Sequence, residues 1–179
     1  AFADSTEWSL TDPTLLVHQK HPIGNQIITD YMARDYPVPA TFPDFVYVSQ
    51  LLQARGMRMA FEAHRRAMPR TMGTLYWQLN DCWPVASWSS MDYFGRWKAL
   101  HYAAKRFFAP VMLSILDEPP KMGLYVTNDT HADWQGALRW SLETLAGNAS
   151  GLEGQSLVFS ALAVDPGADE LTYRWHFGD

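Results

Sequence analysis

The most informative stretch of the chain, residues 73–96, reads GTLYWQLNDCWPVASWSSMDYFGR. Residues around its start are mostly β-prone and aromatic, which is typical of a strand. Asn80, Asp81 and Pro84 then supply the turn-forming residues that end a strand. The sequence therefore predicts a strand over residues 71–77 that runs into an aromatic loop.

Aromatic rings and hydrogen-bonding side chains are interleaved around this loop. The rings belong to Tyr76, Trp77, Trp83, Trp88 and Tyr93, and the polar residues are Gln78, Asn80, Asp81, Ser87 and Asp92. For any single tryptophan, packing in a core is the more common role. The cluster as a whole favours a ligand, because flat apolar faces beside polar edges suit a sugar with C–H patches ringed by hydroxyls.

Composition excludes several classes of protein. With 179 residues and 47% hydrophobic side chains, the chain can form one domain or somewhat more. A formal charge of −5 without a clustered basic face argues against nucleic acid as a partner; the pairs Arg65-Arg66 and Lys105-Arg106 are interpreted as solvated helix faces. No apolar run approaches the roughly 20 residues that span a bilayer. The chain starts with neither Met nor a signal-peptide pattern, so we expect it to be part of a longer protein.

The candidate metal ligands and nucleophile are few. Cys82 is the lone cysteine, so we expect an ordinary buried thiol rather than a nucleophile or a metal ligand. His18 and His21 lack a third and fourth ligand at regular spacing, which favours hydrogen-bonding roles over metal binding. The sequence thus predicts neither a metal site nor a cofactor.

Three helices are predicted around the strand. Pro22 suits the first turn of one, and Thr41 begins a long second helix that closes at Pro69. A third helix starts near Trp97 and stops at Pro110. In the long helix the apolar stripe is Phe45, Val48, Leu52, Met59 and Ala63, with Glu62 placed on a solvated face. Helix, strand, loop and helix in succession indicate an α/β unit.

The second half of the sequence has a different pattern. Residues 111–116, 122–127 and 137–145 read as strands separated by turns, and residues 154–179 continue this pattern. Alternation within residues 137–145 indicates one buried and one wet face, as in a β-sandwich. The predicted fold class is therefore α/β followed by all-β.

Several of these segments resemble one enzyme family. Residues 73–90 and the run GRWKALHY at 95–102 closely resemble the end of the catalytic barrel in β-mannosidases of glycoside hydrolase family 2. The runs HQKHPIGN at 18–25 and YVSQLLQA at 47–54 resemble the segment leading into the last barrel strand. The resemblance implies a (β/α)8 barrel flanked by β-sandwich domains, which removes terminal β-mannose from oligosaccharides with retention of configuration.

The resemblance also divides the chain and assigns a site. Residues 1–110 would be the C-terminal part of the barrel, 111–150 the start of an immunoglobulin-like sandwich, and 151–179 an incomplete segment that resembles PKD-type, immunoglobulin-like modules. Active sites of such barrels lie at the C-terminal ends of the strands. The implied substrate-binding residues are Trp77, Gln78, Asn80, Asp81, Trp83 and Trp88, with Trp77 as a wall of the terminal-sugar subsite. For Asp81 we prefer a loop-bracing role over direct sugar contact.

The sequence departs from the family in its catalytic residues. Retaining hydrolysis uses two carboxyl groups about 5–5.5 Å apart, and in this family both are glutamates, one of which follows an Asn. No Asn-Glu pair occurs here. We therefore expect no catalytic residue within this chain, no turnover by the chain alone, and two partners: a mannose-containing oligosaccharide and the rest of the parent protein.

Two alternatives remain open. The chain could be a non-catalytic carbohydrate-binding or structural fragment with immunoglobulin-like strands, or a hydrolase that uses Asp81 and Asp92 as its acid pair. The compartment stays open, and a periplasmic, secreted or lysosomal location is preferred over the cytoplasm.

Overall fold

The structure is a computed structural model that describes residues 8–118, 121–136 and, by backbone alone, 158–164. The chain divides into two units, Ala1–Phe108 and Ala109–Asp179. In the described residues the first unit contains four helices and the second contains a three-stranded sheet. No helix in this part of the chain combines the length and the apolar character needed to cross a bilayer.

The first unit begins with two helices before the long one. Helix α1, Pro13–Val17, is a short helix that the sequence analysis missed, although Asp12 caps it by accepting from the N–H of Thr14 at 2.8 Å. Helix α2, Gly24–Asp35, confirms the predicted helix after Pro22. Its apolar residues are only partly covered: Met32 is buried, but Tyr31 is exposed, as is Ile23 directly before the helix.

Helix α3, Phe42–Arg66, confirms the long helix and its start. Thr41 caps it by accepting from the N–H of Asp44, whose negative charge also suits a helix N-terminus. The predicted apolar stripe is wrong in its second half, because Met59 is 60% exposed and Ala63 is also exposed. Met59 and Ala63 lie on the same side of the helix as Phe45. In the second half of the helix the buried residues Ala54 and Phe61 lie on the opposite side.

The interpretation of Glu62 and the arginine pair is also wrong. Glu62 is buried, and its carboxylate pairs with Arg58 at 2.5 Å and with Arg66 at 3.8 Å. Arg65 donates a hydrogen bond to the carbonyl of Phe107 at 2.7 Å. Charged side chains enter this part of the molecule because each meets an opposite charge or an acceptor, which offsets the cost of removing it from water.

Helix α4, Ala99–Phe107, confirms the third predicted helix and packs on α3. The contact is aromatic: the ring of Phe61 stacks on that of Phe107 at 4.3 Å and meets the edge of Phe108 at 4.8 Å. Tyr76 adds an edge-on contact to Phe61 at 6.0 Å. This cluster holds the start of the aromatic loop against the two helices.

The predicted strand at residues 71–77 is wrong as secondary structure, since none of these residues pairs in a ladder within the described chain. The run is extended, and alternate residues differ in their environment. Thr74 and Tyr76 contact helix α3, whereas Leu75 is fully exposed and Trp77 is 74% exposed. A strand is stabilised by hydrogen bonds to neighbouring strands, and the described residues supply no neighbour.

The second unit contains the sheet. Strands β1, Val111–Glu118, and β2, Lys121–Asn128, are antiparallel and confirm two predicted strands. Strand β3, Val158–Val164, lies parallel to β2 and falls in the region predicted to continue the strand pattern. The strand predicted at residues 137–145 and the rest of the 154–179 segment lie outside the described residues. The described strands form one sheet, ordered β1-β2-β3.

The aromatic cluster should dominate the stability of the first unit. We expect Phe61→Ala to lower the free energy of unfolding by about 3–5 kcal/mol, because it removes a buried ring and leaves a cavity. Urea unfolding monitored by circular dichroism measures this change. Met59→Ala, on the exposed side of the same helix, is the matched control and should cost less than about 1 kcal/mol. Equal losses in the two variants would contradict this assignment of the core.

Candidate functional site

The aromatic loop folds back on the end of the extended run. The N–H groups of Ser90 and Met91 donate to the carbonyls of Gln78 and Leu79, each at 2.9 Å, and the N–H of Lys98 donates to the Ser90 carbonyl at 2.9 Å. Main-chain bonds therefore hold the serines of the loop beside Gln78 and connect both to the start of α4.

The carboxylate of Asp81 lies at the centre of this arrangement, with only 4% of its side chain exposed. It accepts hydrogen bonds from Gln78 Nε2 at 2.8 Å, from Ser87 Oγ at 2.7 Å and from Ser89 Oγ. Lys98 Nζ lies 4.0 Å from the same carboxylate. A buried carboxylate surrounded by donors acts as a fixed acceptor that orders the side chains around it.

Lys98 connects this carboxylate to helix α4. Its Nζ donates to Ser89 Oγ at 2.7 Å, and its side chain is 17% exposed. Burial lowers the pKa of Lys98, while the negative charges of Asp81 and Asp92 oppose that shift. Sequence reasoning missed Lys98. A positive charge is unfavourable at a helix N-terminus, so a lysine at this position indicates that a negatively charged group lies nearby.

A second hydrogen-bonded chain runs through the fully buried Ser90. Its hydroxyl contacts Tyr76 Oη at 2.9 Å, His101 Nδ1 at 3.0 Å and the carbonyl of Leu79 at 3.1 Å. This chain of hydrogen bonds joins the extended run to the first turn of α4. Ser90 and His101 were not singled out from sequence, because isolated Ser and His residues carry no spacing signal.

The tryptophans of the loop face solvent. Trp77, Trp83 and Trp88 are all exposed, so none of the three is a core residue of the described structure. Trp83 stacks on the ring of His18 at 4.7 Å, and the main-chain carbonyl of Trp88 accepts from Gln53 at 2.9 Å. The loop therefore presents rings at its surface over a polar, hydrogen-bonded interior.

The remaining candidates have simpler roles. Asn80 is exposed, and its main-chain carbonyl accepts from Gln78 Nε2 at 2.9 Å. The thiol of Cys82 is exposed, so the expectation of a buried cysteine is wrong. His18 Nδ1 contacts the carbonyl of Pro84 at 2.5 Å, and His21 Nδ1 accepts from the N–H of Ile23 at 3.4 Å.

No group of three or more His, Cys, Asp or Glu side chains placed to hold a metal ion occurs among the residues that the structure describes.

Asp92 braces the tip of the loop. Its carboxylate accepts from the N–H groups of Phe94 and Arg96, both at 2.9 Å, and from Arg96 Nε at 2.6 Å. Partial burial acts to raise the pKa of Asp92, but these hydrogen bonds and the charge of Arg96 outweigh burial and hold the pKa below its ordinary value. Asp92 and Asp81 thus both serve as acceptors for loop donors.

Known proteins with similar sequences include β-mannosidases. "Beta-mannosidase" of Rattus norvegicus is 33% identical over 153 residues, which cover 75% of this chain and 17% of that protein. "Beta-mannosidase A" of Neosartorya fischeri is 35% identical over 143 residues, which cover 71% of this chain and 15% of that protein. The chain therefore spans about a sixth of the length of these relatives. No family model matches it.

A similar solved structure is that of the β-D-mannosidase from Dictyoglomus thermophilum. It superposes with a TM-score of 0.68 at 31% identity, over 71% of this chain and 16% of that one.

The lowered pKa of Asp92 predicts a pH-dependent contribution to stability. Its carboxylate stabilises the fold above the unfolded-state pKa of about 4, and this contribution is lost as pH falls through the lower folded-state pKa. We expect Asp92→Asn to cost about 1–2 kcal/mol at pH 7, and the difference from wild type should shrink at or below about pH 3. Urea unfolding at both pH values measures this.

Asp30→Asn is the matched control for that experiment, since Asp30 lies on the exposed surface of α2 and accepts from Gln26 Nε2 at 2.7 Å. It should differ little from wild type at either pH. An Asp92→Asn deficit that is equally large at pH 3 and pH 7 would contradict the assigned role of the ionised carboxylate.

Proposed function

Since this chain corresponds in sequence and in fold to a region of the glycoside hydrolase family 2 β-mannosidases, we propose that it is part of a retaining exo-β-mannosidase that hydrolyses terminal β-D-mannose from oligosaccharides. The family resemblance predicted from sequence is confirmed by the relatives. The reaction, its stereochemistry and the substrate are our proposal, because the chain spans only about a sixth of those proteins.

One observation carries the proposal: Trp77 is exposed directly beside a rigid polar cluster. The ring of Trp77 offers an apolar surface on which the C–H face of a pyranose can stack. Its neighbour Gln78 is held by Asp81, so hydrogen-bonding groups next to the ring have fixed positions. An apolar wall beside preorganised polar groups is the usual composition of a small-molecule site.

The catalytic carboxylates are proposed to lie outside this chain. Asp81 and Asp92 accept several internal hydrogen bonds each. Glu62 is buried and forms ion pairs with two arginines. Glu118 is the last residue of strand β1, in the other unit. Retaining hydrolysis uses two carboxyl groups about 5–5.5 Å apart as acid and nucleophile, whereas Asp81, Asp92 and Glu62 are each held by internal partners. The residues of this chain would bind and orient the sugar, and the rest of the parent would supply acid and nucleophile.

The extended run at residues 71–77 supports a barrel in the parent protein. The run has no ladder pairing within the described residues, and it exposes the apolar residues Met72, Leu75 and Trp77, as a strand does when its neighbours are absent. We propose that this run is the last strand of a (β/α)8 barrel whose other strands belong to the rest of the parent. Trp77 then lies at the C-terminal end of a strand, where barrel active sites form.

The alternative is a non-catalytic carbohydrate-binding fragment. The solvent-facing Trp83 and Trp88 favour it, because exposed rings suffice to bind a sugar without chemistry. Activity measurements distinguish the two functions. A part of a hydrolase is needed for turnover by the complete protein, whereas a non-catalytic binding fragment is not.

One prediction of this proposed function concerns the chain by itself. The purified 179-residue chain should not hydrolyse an aryl β-mannoside, and turnover should appear when the remaining portion of the parent is supplied. Aryl β-glucoside and β-galactoside serve as specificity controls. Turnover by the isolated chain would overturn the proposal that the catalytic carboxylates lie elsewhere and would make Asp81 and Asp92 the candidates.

The second prediction concerns Trp77. In the complete protein, Trp77→Ala should lower kcat/KM for an aryl β-mannoside by at least about tenfold, because it removes the apolar wall of the sugar site. Steady-state kinetics measures this loss. Trp134→Ala, which removes another exposed tryptophan in the second unit, is the matched control and should leave kcat/KM within about twofold of wild type. Similar losses in both variants would exclude a specific sugar contact at Trp77.

A further inference from the structure

We propose that the buried cluster of Asp81, Ser89 and Lys98 sets the hydrogen-bonding polarity of Gln78, so that Gln78 presents its amide oxygen, an acceptor, to a hydroxyl group of the bound sugar. This inference rests on the proposed function and deepens it. It makes Gln78 a specificity-determining residue and Asp81 a positioning residue that acts through Gln78.

The contacts of Gln78 determine which way its amide faces. Its Nε2 donates to Asp81 Oδ1 at 2.8 Å and to the main-chain carbonyl of Asn80 at 2.9 Å. Both partners are acceptors, and a primary amide nitrogen has two hydrogens to donate. Both hydrogens are therefore used within the protein. The amide oxygen is the polar atom with which Gln78 can recognise a ligand.

The reversed amide is excluded by the same two partners. Turning the Gln78 amide by half a rotation would place its oxygen against a carboxylate oxygen and a carbonyl oxygen. Two hydrogen bonds would be lost and two lone-pair contacts created next to a buried charge. Gln78 would offer a donor only at that cost, so the site selects an acceptor at this position.

Asp81 is itself locked in its role as acceptor. Ser87 Oγ donates to it at 2.7 Å, Ser89 Oγ donates as well, and the ammonium of Lys98 lies 4.0 Å away. Together with Gln78 Nε2, the groups that face this carboxylate are all donors. With only 4% of its side chain exposed, water contributes little to its solvation.

Lys98 ties the cluster to a rigid element. It directly precedes helix α4, its N–H donates to the Ser90 carbonyl, and its Nζ donates to Ser89 Oγ at 2.7 Å. The Ser89 hydroxyl can accept from Lys98 and donate to Asp81 at the same time. A chain of contacts through Asp81, Ser89 and Lys98 thereby fixes Gln78 relative to the start of α4. That helix is anchored by its buried residues Leu100 and Phe107.

An isosteric change at Asp81 should weaken the hold on the Gln78 amide orientation. Asn in place of Asp has one oxygen and one NH2 group, so it cannot accept from every donor that now faces it. Where its NH2 group faces Gln78, the Gln78 amide nitrogen loses one of its two acceptors and keeps only the carbonyl of Asn80. The Gln78 oxygen would then no longer be held toward the sugar, so its contact with the bound hydroxyl should weaken.

The test compares hydroxyl-deleted substrates in the complete protein. The substrate is p-nitrophenyl β-D-mannopyranoside, with its 2-, 3-, 4- and 6-monodeoxy analogues. We expect Gln78→Met to lower kcat/KM for the parent mannoside by about 10- to 100-fold. The loss relative to wild type should fall to about twofold or less for the one analogue that lacks the hydroxyl bound by Gln78. Asp81→Asn should lose activity on the parent sugar and recover on the same analogue.

The matched control is Gln26→Met, an exposed glutamine on helix α2 whose Nε2 contacts Asp30. This variant should match wild type on every substrate. Thermal melting of each variant separates folding from recognition. Gln78→Met removes the donor to Asp81 Oδ1 but keeps the donors from Ser87 and Ser89, so a variant that still folds decides the question even if Asp81→Asn does not fold.

The remaining outcomes overturn the inference in distinguishable ways. A uniform loss on all the substrates in Gln78→Met would mean a merely structural role for Gln78. Recovery of the two variants on different analogues would mean that Asp81 does not act through Gln78. Wild-type protein without mannosidase activity would overturn the proposed function and this inference with it, whereas wild-type turnover with a uniform loss overturns this inference alone.

Discussion

The buried carboxylate of Asp81 is the interaction on which the candidate site depends. Removing a charge from water is costly unless the protein replaces the lost hydrogen bonds. Here the replacements come from Gln78, Ser87 and Ser89, with the charge of Lys98 nearby. Each donor must keep its place for the carboxylate to stay buried, so a single charge orders a loop that has little regular secondary structure.

The loop has this order because the helices beneath it are well packed. Phe61 and Phe107 stack between α3 and α4, and Tyr76 brings the extended run onto the same cluster. The Tyr76 hydroxyl then bonds to the buried Ser90, which also contacts His101 on α4. Apolar packing thus positions the main chain, and the polar network above it positions the side chains. The tryptophans lie outside both layers, where a ligand can reach them.

The described first unit also exposes large apolar side chains at its surface. Leu75 is fully exposed, and Met59 is exposed on the side of α3 that it shares with Phe45. Residues 71–77 are extended without a paired neighbouring strand within the described chain. Large exposed apolar patches indicate a missing partner surface. These features agree with a chain that spans about a sixth of its β-mannosidase relatives and that, as we propose, contributes one edge of a larger barrel.

Sequence by itself determined the helices α2 to α4, the strands β1 and β2, and the family resemblance, because capping residues, prolines, apolar periodicity and a long specific motif are local signals. It did not determine the burial of Glu62, the exposure of Met59 and Cys82, or the unpaired state of residues 71–77. Those depend on which elements meet in space. Only the tertiary structure brought Lys98 and Ser89 to Asp81, since a hydrogen-bonded cluster is defined by distances between atoms and no spacing along the chain encodes it.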